Sequence, residues 1–333
     1  MKLDPLPVDP VVTIVVPMLN ERGHIDACLD GFASQTYGTD RLDVVVVDGG
    51  SSDGSREMVE RRAEHEPWVR LVCNPDRYAA AAFNRGVEAA RGQVLCLFSA
   101  HGVPAADYVE RSVAVLRETG AAGVGGHYLH RGTDRASSSI GLAMVSWFGM
   151  ASPHRSAETR QEVDTISHPA YHLAALHLVG PFNERLLRNE DYELNWRIRR
   201  AGGQLLVDPS IASVYRPRNG LRALGRQFWW YGKWKARVMK DHPGATRPRH
   251  LVPPAAIAFV ASAPVLLAVP EARPLVGAVA ALYACLMIAA VSGVRPRAHG
   301  ASTLVTAAAF PVMHACWGAG VLYGLAEDRR RRA

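Results

Sequence analysis

Three charged side chains, Asp191, Glu193 and Arg197, lie near the start of a segment with the pattern of an amphipathic helix, residues 187–202. A leucine and an isoleucine recur there at i and i+4, so one face can pack inward. Acidic residues suit the positive end of a helix, and a carboxylate held there beside a ligand can act as a general base. A charged, solvent-facing helix would show the same pattern. The rest of the chain has to decide between these two interpretations.

The segments that would position such a carboxylate alternate between strand-like and helix-like patterns over residues 11–98. The strands are continuous apolar runs rather than alternating ones. With helices between them, such strands predict an α/β domain whose mostly parallel sheet is covered on both faces. The predicted strands are Val12–Pro17, Val44–Val47, Val69–Cys73 and Val94–Phe98, and the predicted helices are Glu21–Ala33, Gly54–Arg62 and Ala79–Ala90.

Polar residues stand at the carboxyl ends of three predicted strands. Asn20 and Glu21 follow the first strand, Asp48 ends the second, and Ser99 and His101 follow the last. Ligands of open α/β sheets bind beyond these ends, so we expect one shared site. The chain has neither the Gly-x-Gly-x-x-Gly nor the Gly-x-x-x-x-Gly-Lys-Ser/Thr pattern, which disfavours a dinucleotide dehydrogenase and a P-loop NTPase.

The charge of the chain is concentrated in one segment. Of a net +7 over 333 residues, residues 216–249 contribute +9, through ten Lys or Arg and one Asp. Aromatic residues are interleaved with these charges and apolar segments follow, which indicates lipid headgroups rather than nucleic acid as the partner. Five scattered cysteines disfavour a disulfide framework and a zinc cage and favour a reducing compartment. No signal peptide is expected at the N-terminus.

Three apolar segments after residue 250 are each long enough to cross a bilayer. Leu251–Val269, Leu275–Val294 and Thr303–Ala326 contain 19, 20 and 24 residues, and a membrane-spanning helix needs about 20. The basic stretch before them predicts a cytoplasmic N-terminal domain. Three complete crossings would put Arg329–Arg332 outside, against the positive-inside tendency. The sequence leaves open whether the last segment is re-entrant.

Four motifs resemble those of the family 2 glycosyltransferases. In one-letter code they are VTIVVPMLNE (12–21), VVDGGSSDGS (46–55), AAFNRG (81–86) and NEDYELNWR (189–197). The resemblance covers about residues 10–240 and implies the GT-A nucleotide-sugar-binding fold, followed here by C-terminal transmembrane helices. Within the family, the chain is similar to succinoglycan-type glucosyltransferases of bacterial exopolysaccharide synthesis. The organisation expected is a catalytic domain at 1–215, basic aromatic interfacial helices at 216–250 and a membrane region at 251–333.

The resemblance assigns nucleotide-sugar-binding roles to several loop and helix residues. A carboxylate at position 48 suits such a role, because it can accept hydrogen bonds from an imide N–H or a ribose hydroxyl. An ordinary turn aspartate is the alternative for Asp48, and an ordinary surface arginine is the alternative for Arg85. By match to the family, Pro17, Asn20 and Glu21 form the first nucleotide-contacting loop, Asp48 binds the base or ribose, and Asn84, Arg85 and Gly86 flank the diphosphate.

The chain departs from the family at its metal-binding Asp-x-Asp, which reads Ser-Ala-His at 99–101. His101 keeps the last position and can ligate a divalent cation, whereas Ser99 replaces the charged first ligand and is counted with the nucleotide-sugar-binding residues. Oxygen-rich sites suit Mg²⁺, and an imidazole shifts the preference toward Mn²⁺. We therefore expect a divalent cation, with an unligated loop histidine as the alternative for His101.

Asp191 matches the catalytic base of the family. The chemistry implied is a single inverting displacement, in which Asp191 takes a proton from an acceptor hydroxyl as that oxygen attacks the anomeric carbon. The leaving nucleoside diphosphate is stabilised by a metal and by cationic side chains. Glu190 and Trp196 are assigned to the acceptor side, Glu190 as a support rather than a base. Core packing is the alternative for Trp196.

Residues 226–235 lie where processive members of the family carry Gln-x-x-Arg-Trp. Gln227 fits this pattern, but Trp230 and Tyr231 replace the arginine and the tryptophan. The difference favours addition of a single sugar over polymerisation. By match to the family, Gln227 and Trp230 are assigned to the acceptor side.

The preferred interpretation is a multi-pass enzyme of the inner membrane with a cytoplasmic catalytic domain. Its partners would be a nucleotide-diphosphate sugar (a UDP-sugar by family frequency), a lipid-linked acceptor and the membrane, with no nucleic acid. One alternative is direct synthesis of a polyprenyl-phosphate sugar, whose phosphate acceptor needs little base catalysis. Another is a catalytically weak nucleotide-sugar-binding scaffold, which Ser99 favours and the intact Asn-Glu-Asp at 189–191 opposes. The sequence does not identify the sugar, the linkage or the oligomeric state.

Overall fold

The structure is a computed structural model that describes residues 1–150 and 157–332. Its internal contacts divide the chain into two compact units. The first comprises Met1–Leu129 and Pro153–Tyr215, and the second comprises His130–Ser152 and Arg216–Ala333.

A nine-stranded sheet forms the centre of the first unit. In chain order its strands are β1 (Val12–Met18), β2 (Leu42–Asp48), β3 (Val69–Cys73), β4 (Val94–Leu97), β5 (Val103–Pro104), β6 (Gly123–His130), β7 (Gln161–Glu162), β8 (Ala170–His172) and β9 (Leu205–Tyr215). Their order across the sheet is β3-β2-β1-β4-β8-β6-β9-β5, and β7 pairs with β9.

Helices cover both faces of this sheet, as the continuous apolar strands predicted. Alternate residues of β1 enter two different cores: Ile14 and Val16 join one, and Val15 joins the other. All seven residues of β2 are buried, because both faces of a central parallel strand are covered. The helices of this unit are α1 (Ile25–Ala33), α2 (Ser55–His65), α3 (Ala79–Glu88), α4 (Tyr108–Thr119), α6 (Leu173–Val179) and α7 (Glu190–Arg200), and α5 (Arg135–Val145) lies in the second unit.

The two halves of the sheet differ in strand direction. The four strands that the sequence predicted, β1 to β4, are parallel to their neighbours among themselves. Beyond β4, β8 is antiparallel to β4 and to β6, and β9 is antiparallel to β5 and to β7. Three strands of this half, β5, β7 and β8, have only two or three residues each. Such short strands show no periodicity in the sequence, so this half was not predicted.

The second unit consists of α5 and the helices after residue 216. These are α8 (Leu221–Asp241), α9 (Val252–Ala268), α10 (Arg273–Val294) and α11 (Thr303–Arg332). Pro248–Ala268, Pro270–His299 and Thr303–Glu327 are long and apolar enough to cross a membrane. The three predicted apolar segments are therefore helical.

Candidate functional site

Two loops at the carboxyl ends of β1 and β2 are bound to each other through Asn20. The Asn20 N–H donates to Ser51 Oγ at 2.9 Å, and Asn20 Oδ1 accepts from the Ser52 N–H at 2.8 Å. Asn20 has a φ of 58°, in the left-handed region that asparagine tolerates better than most residues. The sequence placed both loops at one edge of the sheet, and these hydrogen bonds join them into one surface.

The carboxylate of Asp48 is fully buried, and it binds residues of the loop that follows β2. Ser51 donates its hydroxyl to Asp48 Oδ1 at 2.6 Å, and its N–H to the same oxygen at 3.1 Å. Arg56, at the start of α2, places Nη1 3.4 Å from Asp48 Oδ2. Arg56 is partly exposed at this loop. It is a cationic group of the site that the sequence analysis did not single out, although it follows the Asp-Gly-Ser motif directly.

Glu21 and His101 face each other from two loops at the same edge. Glu21 Oε1 lies 3.4 Å from His101 Nδ1, and both side chains are partly exposed. The two groups are separated by 80 positions in the chain. An imidazole and a carboxylate thus come together beside the loop that contains Ser99.

The hydroxyl of Ser99 points to a different partner, His168. Ser99 Oγ and His168 Nε2 share a hydrogen bond of 2.9 Å, and His168 Nδ1 shares another of 2.8 Å with Ser213 Oγ. The imidazole stacks on Phe98, with ring centroids 4.1 Å apart. Desolvation, and secondarily the charge of His101, lower the pKa of His168 to about 3. The ring is therefore neutral at physiological pH and bridges two hydroxyls.

His168 was not found by sequence reasoning, because no local pattern marks it. It precedes β8, with a φ of 42°, a conformation that is uncommon for a non-glycine residue. The Tyr108 hydroxyl donates to its carbonyl oxygen at 2.7 Å. Strained residues of this kind often lie at functional sites. His168, Asn20 and Asn189 all have positive φ values. Asn20 is itself a predicted site residue, Asn189 precedes Glu190, and His168 is hydrogen-bonded to Ser99.

The predicted helix that carries Asp191 is α7, and Asn189, with a φ of 63°, precedes its first residue. Glu190 is 8% exposed, and within the described chain its Oε2 has no hydrogen-bond partner. Burial, and secondarily the charge of Asp191, raise the pKa of Glu190 to about 7. Asp191 is only partly buried, and its Oδ1 accepts the Tyr192 N–H at 2.7 Å.

Two other charged residues of α7, Glu193 and Arg197, pair with each other. Arg197 Nε lies 2.9 Å from Glu193 Oε1, and the Glu193 side chain is 3% exposed. Arg197 also donates to the carbonyls of Val179 and Gly180, at the end of α6. A cation there satisfies carbonyls that lack helical partners and suits the negative helix end. This pair holds α6 and α7 together.

The far face of α7 is bound to the sheet. The Tyr171 hydroxyl donates to Asn195 Oδ1 at 2.7 Å, and Asn195 Nδ2 donates to Thr165 Oγ1 at 2.9 Å. Tyr171 belongs to β8, which pairs with β4 immediately before Ser99. The helix of Asp191 and the loop of Ser99 are therefore supported by the same two strands.

Trp196, at the acceptor side by prediction, is partly exposed, and the guanidinium of Arg200 lies 5.4 Å from its ring centroid.

On α3, Asn84 and Arg85 have different surroundings. Asn84 is buried; its Nδ2 donates to the Phe182 carbonyl at 3.0 Å and to Glu184 Oε1 at 2.7 Å, while its Oδ1 accepts the Phe182 N–H. Arg85 is partly exposed and pairs with Asp76 at 2.7 Å. The amide of Asn84 thus holds the loop before α7, whereas Arg85 lies at the surface.

Two predicted acceptor-side residues lie in the second unit, on α8. Gln227 Nε2 donates to the Tyr231 hydroxyl at 2.9 Å, and Trp230 is 41% exposed, with Lys233 Nζ 5.4 Å from its ring centroid. Their acceptor role stays a prediction. Pro17, by contrast, lies in the first unit. It is in β1 opposite Val47 of β2, near the carboxyl ends of these two strands.

The chain is similar in sequence to known proteins. The model of the family described as glycosyl transferase family 2 matches residues 13–177. The chain is 32% identical over 325 residues to the succinoglycan biosynthesis protein ExoA of Rhizobium meliloti (strain 1021), covering 96% of both proteins. It is 23% identical over 238 residues to the dolichyl N-acetyl-alpha-D-glucosaminyl phosphate 3-beta-D-2,3-diacetamido-2,3-dideoxy-beta-D-glucuronosyltransferase of Methanococcus voltae, covering 69% of this chain and 74% of that protein.

Among solved structures, the mannosyltransferase PcManGT from Pyrobaculum calidifontis in complex with GDP-Man and Mn²⁺ matches with a TM-score of 0.66 and 22% identity. The match covers 98% of this chain and 90% of that one. This likeness confirms the predicted GT-A fold followed by apolar helices.

Proposed function

This chain belongs to glycosyl transferase family 2 and is a glycosyltransferase, and we propose that it moves one sugar from a nucleotide-diphosphate sugar to a lipid-linked acceptor, with inversion at the anomeric carbon. The observation that carries the proposal is the placement of Asp191. It is partly exposed in the first turn of α7, which the Tyr171–Asn195 hydrogen bond binds to the strand beside the Ser99 loop. A general base needs this combination of access and fixed position.

In the proposed reaction, a carboxylate oxygen of Asp191 takes the proton of the acceptor hydroxyl. The acceptor oxygen forms a bond to the anomeric carbon as the bond from that carbon to the diphosphate oxygen breaks. The electron pair leaves with the nucleoside diphosphate. Arg85 and Arg56 are partly exposed guanidinium groups in the same unit, suited to bind the developing phosphate charge.

The nucleotide is proposed to bind over the joined loops of Asn20 and Asp48. Asp48 holds Ser51 and Arg56 in place, so its contribution includes positioning the loop that meets the base or ribose. Pro17 and Glu21 border the same loops, and Asn84 fixes the segment before α7 from beneath.

A divalent cation is proposed to bind between His101 and Glu21. No group of three or more His, Cys, Asp or Glu side chains within the described residues is arranged to hold a metal. The facing imidazole and carboxylate still fit Mg²⁺ or Mn²⁺, because these ions are often held by few protein ligands together with substrate phosphates and water. A bound cation would neutralise charge on the leaving diphosphate. The Ser99 hydroxyl, which bonds to His168, supports this loop.

The attachment proposed is to the inner membrane, with the catalytic unit in the cytoplasm. Among the described residues, three helices are apolar enough to span a bilayer, and the basic, aromatic α8 precedes them. A lipid-linked acceptor is consistent with a catalytic unit attached to a bilayer. ExoA of Rhizobium meliloti, by its name, serves succinoglycan biosynthesis, which supports polysaccharide or glycoconjugate synthesis as the setting.

The experiment that tests this function uses the purified full-length protein in detergent. It would be incubated with a panel of nucleotide-diphosphate sugars, a polyprenyl-diphosphate-linked sugar as acceptor, and Mn²⁺ or Mg²⁺. We expect acceptor-dependent release of nucleoside diphosphate from one donor, and a product whose anomeric configuration is opposite to that of the donor. Transfer with retained configuration would contradict the mechanism. Transfer to polyprenyl phosphate alone would favour the polyprenyl-phosphate sugar synthase.

The metal ligands can be tested without an activity assay. Free Mn²⁺, followed by its electron paramagnetic resonance signal, should bind at least about tenfold more weakly to Glu21→Gln and to His101→Ala than to the parent. Glu57→Gln, an exposed position on α2, is the matched control. Unchanged Mn²⁺ affinity in both variants, or full activity of the parent in excess chelator, would exclude this site.

A further inference from the structure

We propose that His168 is a positioning residue of the sugar transfer: by binding the Ser99 hydroxyl, it holds the Ser99–Gly102 turn in the shape that places His101 opposite Glu21. The inference rests on the proposed function, because His101 and Glu21 are the proposed ligands of the divalent cation. His168 acts through the turn and touches neither of these two ligands in a hydrogen bond.

His101 lies in a tight turn that directly follows β4. The Gly102 N–H donates to the Ser99 carbonyl oxygen at 2.9 Å, so Ala100 and His101 are the central residues of a β-turn. Ala100 is buried, whereas the side chain of His101 is 43% exposed. The direction of an exposed side chain depends on the backbone that carries it. The shape of this turn therefore decides whether the His101 imidazole faces Glu21.

The ring of His168 packs directly on this turn. Its Nε2 shares the 2.9 Å hydrogen bond with Ser99 Oγ, and its ring stacks on Phe98, with centroids 4.1 Å apart. A Cβ added to Gly102 would lie 3.1 Å from His168 Cε1 and 2.8 Å from the Phe98 ring. The glycine at position 102 thus leaves the space that the two rings need beside the turn.

His168 is itself held in one orientation. Its Nδ1 shares a 2.8 Å hydrogen bond with the hydroxyl of Ser213, a buried residue of β9. A neutral imidazole has one donor and one acceptor, and a hydroxyl can take either role, so both ring nitrogens are satisfied. The Tyr108 hydroxyl binds the His168 carbonyl oxygen, and the Tyr128 ring meets the imidazole edge-on, with centroids 4.9 Å apart. A ring fixed on all these sides can fix the Ser99 hydroxyl in turn.

This chain of hydrogen bonds joins the two halves of the sheet. The Leu97 N–H, at the end of β4, donates to the Pro169 carbonyl at 2.9 Å, and Ser99 and His168 lie just beyond this bond. Strand β4 belongs to the parallel half, and β9, which contains Ser213, belongs to the antiparallel half. The turn is therefore attached to both halves of the sheet through one imidazole.

The role of His168 also accounts for the departure at position 99. Carboxylate oxygens are preferred ligands of Mg²⁺ and similar cations, but this chain has the Ser99 hydroxyl where the family has a carboxylate. That hydroxyl is hydrogen-bonded to His168 rather than directed by a metal. A protein contact thus holds the turn, and we expect the turn to keep its shape when no cation is bound.

Hydrogen–deuterium exchange of the purified full-length protein in detergent tests the turn. His168→Phe keeps a flat ring but removes both ring nitrogens. The peptide that contains the Gly102 N–H should exchange about tenfold faster than in the parent, because a turn that loses its hydrogen bonds opens locally. The matched control is His172→Phe, which also removes two ring hydrogen bonds, but to backbone groups outside the turn. Exchange at the parent rate in His168→Phe would overturn the proposal.

Mn²⁺ affinity distinguishes a positioning role from a purely structural one. Free Mn²⁺, followed by electron paramagnetic resonance, should bind about 10–100-fold more weakly to His168→Phe, the range typical of losing a group that orients a metal ligand. His172→Phe should keep the affinity of the parent. Faster exchange with unchanged Mn²⁺ affinity would limit His168 to a structural role and overturn the proposal. A parent that binds no Mn²⁺ would instead contradict the metal site proposed above, so the two failures are distinguishable.

A double-mutant cycle tests the route through Ser99. Ser99→Ala removes the hydroxyl that His168 binds. If His168 acts through this hydroxyl, Ser99→Ala/His168→Phe should weaken Mn²⁺ binding no more than the stronger of the two single variants, whereas independent effects would multiply. Multiplied effects would show that His168 does not act through Ser99.

Discussion

Glu190 and Asp191 are consecutive carboxylates at the start of α7, but only Glu190 is buried. Glu190 is 8% exposed and its Oε2 lacks a partner within the described residues, whereas Asp191 keeps solvent access and accepts the Tyr192 N–H. Burial, and secondarily the charge of Asp191, disfavour the charged form of Glu190 and raise its pKa. The proposed base, Asp191, therefore differs from its neighbour in its access to solvent.

The role of Asp191 is tested by Asp191→Asn, which keeps size and packing but removes the proton acceptor. General-base catalysis is worth about 10²–10⁴-fold, so transfer to a hydroxyl acceptor should fall by that factor while donor binding persists. Initial rates and calorimetric donor affinity would be measured beside Asp40→Asn, an exposed control. A wild-type transfer rate in the Asp191→Asn variant would show that Asp191 is not the base.

Glu190 predicts a pH-dependent stability of known sign. Its pKa rises from 4.5 to about 7 on folding, so the folded state holds this proton more tightly than the unfolded state. Its favourable contribution is complete below about pH 4.5 and is lost as the pH rises through about 7, at about 1.4 kcal/mol for each unit of pKa separation.

The stability of Glu190→Gln, compared with that of the parent, should therefore increase from pH 5 to pH 8, because the amide has no charge to bury. The comparison is the thermal unfolding midpoint in detergent at both pH values, with the exposed Glu64→Gln as control. A difference between Glu190→Gln and the parent that does not change with pH would contradict the raised pKa.

Substitution of Asn84 should mainly lower stability, and substitution of Arg85 should mainly weaken donor binding. Asn84→Ala leaves the buried Phe182 N–H and carbonyl without their side-chain partners, and a buried unsatisfied group costs about 1–3 kcal/mol. Arg85→Ala removes a solvent-exposed ion pair with Asp76, and such pairs contribute little to stability, so its main effect should be weaker nucleotide binding. Unfolding midpoints and donor affinities of both variants check this, and a stable Asn84→Ala with weak binding would reverse the assignment.

Gly86 is required by packing of α3 on the sheet. A Cβ at this position would overlap the side chain of Val15 in β1, and overpacking of this kind typically costs about 1–3 kcal/mol. Gly86→Ala should therefore lower the unfolding midpoint. Gly23→Ala is the control, because its added Cβ would meet no described atom within 4 Å. Equal midpoints for the two variants would show that β1 and α3 can move apart.

Sequence patterns located the elements whose signal is local. The apolar runs of β1 to β4 and the period of α7 were predicted within a few residues, and the three apolar segments are helices. The motif resemblance led to the family and the fold, which the comparisons confirm. These features depend on residues close together in the chain, where periodicity and composition carry the information.

Only the tertiary structure decided which side chains meet. Ser99 is 69 positions from its partner His168, and Lys233 is 94 positions from Glu327; no local pattern links either pair. The burial that raises the pKa of Glu190 comes from the packing around α7, not from its neighbours in the chain alone. Hydropathy marked α11 as long enough to span a membrane, but only the structure shows that its glycines lie close to the backbone of α8. Desolvation and hydrogen bonding depend on surroundings assembled from distant segments, and these exist only once the chain has folded.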